Sequence, residues 1–141
     1  DLHSYPTRRS PDLLKGMFKI IDTSSFIWLN DELDEVTMRV VLMHEIGHCI
    51  LHRYLAARTF QGFTLYDMAG KPEKEANIFA ANMLISDKDV FELAEYNYTT
   101  EKAASCMKVP HQLMLIKIED MIERGYALYL NENIRYDFLG F

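Results

Sequence analysis

Two histidines and a glutamate, His44, Glu45 and His48, have the spacing of a metal site on a helix. Residues four apart on a helix lie one turn apart on the same face, so both imidazoles reach one cation. Glu45 is rotated by about 100° from His44, which places its carboxylate beside the ion rather than on it. A carboxylate in that position acts as general base toward a metal-bound water. The pattern therefore predicts peptide-bond hydrolysis, with zinc as the ion.

The residues around this motif favour a buried helix. Apolar residues precede it at 40–43 and follow it at 49–51, and three polar side chains in such a helix require a partner such as a cation. Gly47 leaves room for another element to approach closely. His52 lies two turns beyond His44, about 12 Å along the axis, which is too far to share one tetrahedral ion. We expect His52 to be a helix-end cation or a hydrogen-bonding residue.

A catalytic zinc takes three protein ligands, so a third ligand must come from another element. Pro72 is placed to open a second helix, and Glu73 and Glu75 in its first turn are the two choices. Glu73 and Asn77 share one helix face, so Glu73 is expected to bind the metal while Asn77 orients a ligand histidine. Glu75 points elsewhere, and we expect it to be a solvated acid at the helix start.

Two segments together resemble the ImmA/IrrE-type metallopeptidases of bacteria and their mobile elements. They are VLMHEIGHCILH at 41–52 and EKEANIFAA at 73–81. The family patterns are HE[LI]GHxxLH and ExEANxFAA, and the resemblance covers roughly residues 16–125. It implies a zinc peptidase with Glu73 rather than Glu75 as the third ligand. It also implies site-specific cleavage, or release, of a helix-turn-helix repressor that controls a phage, a mobile element or a stress regulon.

The elements that must position these residues predict an α+β fold, a mostly helical zincin-like single domain with a small antiparallel hairpin near its start. We divide the chain into an N-terminal extension (1–15) and a metallopeptidase domain (16–141). The predicted hairpin has strands at 17–22 and 26–30 around a turn at 23–25. A helix at 35–57 and a loop at 59–70 follow. Four further helices are predicted at 72–85, 88–96 (capped by Ser86), 101–107 (capped by Thr100) and 110–124, and then a short strand at 127–130.

The composition of the chain disfavours several classes of function. The hydrophobic fraction of 49% and the charged fraction of 26% are those of a globular domain. A net charge of −6 disfavours direct nucleic-acid binding, which requires a basic face. No apolar run is long enough to span a bilayer. Cys49 and Cys106 form no disulfide framework, so a reducing, cytoplasmic setting is expected. The oligomeric state stays open, and manganese or iron is an alternative to zinc.

Two other functions compete with the enzyme. The segment 99–124 has the length pattern of a helix-turn-helix, but Glu119, Asp120 and Glu123 on its second helix would repel phosphate. An α-hairpin packed on the core is the better interpretation. The other alternative is a non-catalytic zinc-containing module that binds and removes a repressor, and it differs from the enzyme in not requiring Glu45.

The sequence offers candidates for two further features of a peptidase site, the strand that pairs with substrate and the group that stabilises the oxyanion. Extended substrates pair with an edge strand beside the active-site helix, and residues 26–30 are the candidate edge. A group that stabilises the oxyanion is also expected, and the candidates are Tyr66, Tyr96, Tyr98 and His111.

Overall fold

The computed structural model describes residues 15–54 and 70–139 of the chain. Within them, a two-stranded antiparallel sheet precedes five helices, which confirms the α+β prediction. The elements are β1 (Gly16–Ile21), β2 (Ser24–Leu29), α1 (Glu35–Leu51), α2 (Lys71–Leu84), α3 (Asp87–Glu95), α4 (Thr100–Met107) and α5 (His111–Glu123). The predicted N-terminal extension and loop lie almost wholly outside the described residues.

The predicted hairpin is confirmed, but its predicted turn at 23–25 is wrong. Ile21 pairs with Ser24, so the turn consists of Asp22 and Thr23 alone. Asp22 has a φ of 55°, a left-handed conformation that aspartate tolerates. Two-residue turns of this kind match the twist of the flanking strands, which favours the tighter connection.

Helix α1 begins at a strong cap and ends earlier than predicted. The side chain of Asp34 accepts hydrogen bonds from the backbone N–H and the hydroxyl of Thr37, at 2.9 and 2.7 Å. The helix ends at Leu51, because His52 leaves the helical conformation (φ −124°, ψ 21°) with its side chain buried. The prediction of one uninterrupted helix through Ala57 is therefore wrong.

Helix α2 confirms the predicted helix opened by Pro72, and it packs directly on α1. The contact is closest at Gly47. A Cβ there would lie 3.1 Å from Cδ1 of Phe79 and 3.3 Å from Cα of Ala76. The absent side chain therefore sets how near α2 comes to the histidine face of α1, as the sequence predicts.

The three remaining helices have well-defined ends. Ser86 caps α3 as predicted, and the left-handed Gly125 (φ 98°) follows the last residue of α5 and its cap. Pro110 precedes the first residue of α5. The cap of α4 is Thr99 rather than the predicted Thr100, because the Thr99 side chain accepts from the backbone of the first turn.

The strand predicted at 127–130 is wrong. The backbone N–H of Leu128 bonds to the carbonyl of Tyr126 within a tight turn, so it does not join a sheet ladder. The described residues after α5 instead lie along the helices as irregular chain. The hydroxyl of Tyr136 donates to Glu119 of α5, and the backbone of Tyr136 reaches α2.

The core lies among α1, α2 and α5. Its fully buried side chains are mainly aliphatic: Val40, Val41, Ala80, Ala81, Ile85, Leu113, Ile116 and Met121. Helix α5 thus faces the core, as expected for an α-hairpin. None of the helices in the described parts of the chain is long and apolar enough to cross a lipid bilayer.

Candidate metal centre

Three predicted ligands, His44, His48 and Glu73, meet between α1 and α2. The two histidine Nε2 atoms lie 3.0 Å apart. The Glu73 carboxylate lies 3.1 Å from His44 Nε2 and 2.9 Å from His48 Nε2. The separation of the two histidine nitrogens is within a few tenths of an ångström of the roughly 3.3 Å between two ligands of a tetrahedral ion with bonds of about 2.0 Å. The two Glu73 contacts are made by different carboxylate oxygens, one facing each histidine. Among the described residues this group supplies three ligands, which leaves a fourth position open.

The charge of this group favours a cation. Burial opposes ionisation of Glu73, but its contacts with His44 and His48 hold the pKa of the carboxyl at about 2. Glu73 is therefore a carboxylate near neutral pH. Both imidazoles are nine-tenths or more buried, so water does little to screen this charge.

Asn77 fixes the ring of His44. Its side-chain amide donates to the backbone carbonyl of Tyr136 at 2.8 Å, and a carbonyl only accepts. The amide oxygen therefore faces His44 Nδ1, which lies 2.8 Å away and must donate. A neutral His44 then carries its lone pair on Nε2, the atom that faces Glu73 and His48. The structure thus brings Asn77 to the position that the sequence predicts for it.

Glu45 lies beside this group, buried between α1 and β1. Burial raises the pKa of the Glu45 carboxyl, while the neighbouring His44 and His48 lower it to a smaller extent. The backbone of Phe18 in β1 also lowers this pKa, as the smallest of these contributions. A Cβ on Gly16 would lie 2.5 Å from Val41 and 3.3 Å from Glu45, so the glycine permits this close approach.

His52 is a hydrogen-bonding residue, one of the two roles expected for it, and it links His48 to Glu75. His52 Nδ1 lies 2.9 Å from His48 Nδ1, and His52 Nε2 lies 2.8 Å from Glu75 Oε2. Glu75 is outside the group of ligands and 39% exposed, in line with the expectation for it, but its contact with His52 was not predicted. The break at the end of α1 turns His52 inward, where Glu75 meets it.

Comparison with known proteins identifies the family. A sequence model of the peptidase M78 family, described as the IrrE N-terminal-like domain, matches residues 3–119. The chain belongs to this family. A curated relative, "Uncharacterized immunity region protein 2" of Bacillus phage phi105, is 29% identical over 104 residues, which are 74% of this chain and 65% of the relative. The match thus spans just under two thirds of that protein. No solved structure matches the chain.

In this IrrE N-terminal-like domain, β1 approaches Glu45 at Gly16. Residues 26–30 lie in β2 and at the residue after it, and β2 pairs with β1 along one side. That an extended substrate pairs with the other side of β2 stays a prediction. Two oxyanion candidates make other contacts: Lys102 lies over the ring of Tyr98, and His111 meets Thr100 and Glu132. Tyr96 is 71% exposed, and Tyr66 lies outside the described residues.

A second group of possible metal ligands, Glu101, His111 and Glu132, has a different explanation. The Thr100 hydroxyl joins His111 at 2.7 Å and Glu132 at 2.6 Å, so hydrogen bonds already account for two of the three residues, and the third, Glu101, is exposed. Glu101 and His111 also lie in the first turns of α4 and α5, where helix dipoles disfavour a cation. We therefore assign this group to anchoring the segment after α5.

Sequence reasoning missed two contributors to the metal centre. The Tyr136 carbonyl has no signal in the sequence, because every residue carries one. The burial of His52 did have a signal in the sequence, because His52 follows His48 by four residues just as His48 follows His44.

Proposed function

We propose that this chain is a metallopeptidase in which His44, His48 and Glu73 hold a divalent ion, zinc in the first instance, and Glu45 is the general base. The observation that carries the proposal is the convergence of two histidine nitrogens and the Glu73 carboxylate, whose closest contacts are 2.9–3.1 Å. Membership of a peptidase family supports it. When bound, the ion polarises the peptide carbonyl and lowers the pKa of water to about 7.

The chain's own residues supply the proton transfers and the orientation. Glu45 accepts the proton of the attacking water as the water oxygen bonds to the carbonyl carbon. It then delivers that proton to the amine nitrogen as the C–N bond breaks. Burial raises the pKa of Glu45 toward the range in which a carboxylate exchanges protons efficiently. Asn77 orients His44.

We propose zinc as the metal because of the chemical nature of the three ligands. Two imidazoles and one carboxylate suit a catalytic zinc that keeps a fourth position open. The same ligands accept iron or manganese, so the metal present in the cell is part of the test.

The proposed substrate is a helix-turn-helix repressor, cleaved at one site in the reducing cytoplasm. Support comes from the resemblance of the two motifs and from a relative named for a phage immunity region. Cys49 and Cys106 are both free thiols, which suits a reducing compartment. The net charge of −6 suits a partner with a basic DNA-binding face.

Direct DNA binding by the chain is disfavoured by the structure of α5. Lys117, a basic residue of the would-be recognition helix, is 2% exposed and donates to Asp87 and Asn82. It is therefore not available to phosphate. The acidic residues of α5 remain, and they repel a nucleic-acid backbone.

The experiment is to incubate purified, zinc-loaded chain with the helix-turn-helix protein encoded beside its gene and to identify products by mass spectrometry. We expect one cleavage site for the wild type and a rate at least about 100-fold lower for Glu45→Gln. Glu35→Gln, an exposed change on the same helix, is the matched control and should cleave normally. If Glu45→Gln relieves repression as well as the wild type does, the non-catalytic module is the correct function.

A further inference from the structure

His48 is linked through two hydrogen bonds to a carboxylate on α2. His48 Nδ1 lies 2.9 Å from His52 Nδ1, and His52 Nε2 lies 2.8 Å from Glu75 Oε2. His52 is only 2% exposed, so water does not substitute readily for either partner. The predicted ligand His48 is thereby connected to His52 and Glu75, to which the proposed reaction gives no role.

When both imidazoles are neutral, the protons in this chain of contacts have one consistent arrangement. A carboxylate only accepts, so His52 must donate to Glu75 from Nε2. A neutral His52 then has a lone pair on Nδ1. Two ring nitrogens 2.9 Å apart share one proton, which must therefore sit on His48 Nδ1. His48 is left with its lone pair on Nε2, 2.9 Å from Glu73 and 3.0 Å from the Nε2 atom of His44.

We propose that Glu75 and His52 are positioning residues that fix the tautomer of His48 and thereby strengthen metal binding. The inference rests on the proposed metal centre and deepens it. Without this pair, His48 is free to carry its proton on Nε2, and a protonated Nε2 cannot bind a metal ion. Outer contacts of this kind are typically worth about 10- to 100-fold in metal affinity.

The two ligand histidines thus have different supports from the same helix. Asn77 holds His44 through a neutral amide, which is itself tied to the Tyr136 carbonyl. His48 is held by an imidazole backed by the carboxylate of Glu75, which has 39% of its side chain exposed. Glu75 also has a second partner in α2, because Lys71 Nζ lies 3.7 Å from its Oε1.

The contacts of His52 coincide with the end of α1 at Leu51. Its imidazole meets both partners from a backbone that has left the helical conformation. Its backbone N–H still bonds to the carbonyl of His48 at 2.9 Å, so the ring turns while the helix hydrogen bond is kept.

The test measures zinc affinity of the full chain by competition with a chromophoric chelator. We expect one zinc per wild-type chain, about 10- to 100-fold weaker binding for His52→Phe, and a smaller loss of about tenfold for Glu75→Ala. Glu75→Gln keeps an acceptor oxygen for His52 and should bind within about threefold of the wild type. Glu92→Gln, on the exposed face of α3, is the matched control and should not change the affinity.

A spectroscopic measurement keeps the inference testable if His52→Phe fails to fold. Ring ¹⁵N shifts of the zinc-loaded wild type should show His48 protonated on Nδ1 and His52 protonated on Nε2. A His52 protonated on Nδ1, or Glu75→Ala binding zinc as tightly as wild type, would overturn the positioning role and leave the metal centre intact. Failure of the wild type to bind zinc would overturn the metal centre and this inference together.

Discussion

Gly47 of α1 lies so close to Phe79 of α2 that no Cβ fits between them without movement. Gly47 directly precedes His48 and follows His44 by three residues, and the contact includes Ala76, three residues after Glu73. The distance between the ligands of α1 and the ligand of α2 therefore depends on a residue that has no side chain.

The substitution Gly47→Ala should destabilise the protein, although glycine to alanine in a helix ordinarily stabilises by about 0.5–1 kcal/mol. The new methyl would lie 3.1–3.2 Å from Phe79 and 3.3 Å from the Ala76 backbone. We expect a loss of about 1–2 kcal/mol in the free energy of unfolding, together with weaker zinc binding. Urea denaturation measures the first, and an increase in stability would contradict the close packing described for this interface.

Asn77→Ala should weaken zinc binding about 10- to 100-fold, because His44 loses the acceptor that holds its proton on Nδ1. Chelator competition measures the effect. Asn133→Ala, the same change at an exposed position after α5, is the control. Equal affinities for the two variants would show that His44 needs no support from Asn77.

Asp87→Asn should cost about 2–3 kcal/mol of stability, because it removes the charged partner of the buried Lys117. The expected loss is below that of a fully buried pair because 31% of the Asp87 side chain is exposed. Asp137→Asn breaks an exposed contact with Arg135 at 3.5 Å and should change stability by less than about 0.5 kcal/mol. Similar losses for the two variants would contradict the structural role of Lys117.

The stability difference between wild type and Asp87→Asn should depend on pH in a defined direction. Hydrogen bonds from Arg124 and Lys117 hold the pKa of the Asp87 carboxyl well below its usual value. A carboxyl with a lowered pKa in the folded state stabilises above its unfolded pKa of about 3.9 and loses that contribution as the pH falls. The difference should be full above about pH 5 and shrink below about pH 4. A difference that grows on acidification would contradict this assignment.

The parts of the structure that the sequence predicted are those set by local signals. The Pro72 helix, the Ser86 cap and the spacing of His44 and His48 all depend on residues a few positions apart. The pairing of the two strands was predicted for the same reason.

The parts that were wrong or missed depend on partners that local patterns do not reveal. The end of α1 coincides with the contact of His52 to Glu75, which lies 23 residues later. Residues 127–130 have strand-like composition, but among the described residues no strand pairs with them, and Leu128 bonds within its own turn. The Tyr136 carbonyl that orients Asn77 lies 59 residues away from it. Neither periodicity nor propensity carries information at that range.

The most direct test of the account is the metal content of the purified chain, measured by elemental analysis for wild type and Glu73→Ala. Glu95→Ala, an exposed change at the end of α3, is the matched control. We predict about one zinc per chain in the wild type and the control, and loss of stoichiometric zinc in Glu73→Ala. Absence of stoichiometric metal in the wild type, even after zinc is added back to chelator-treated protein, would contradict the metallopeptidase assignment.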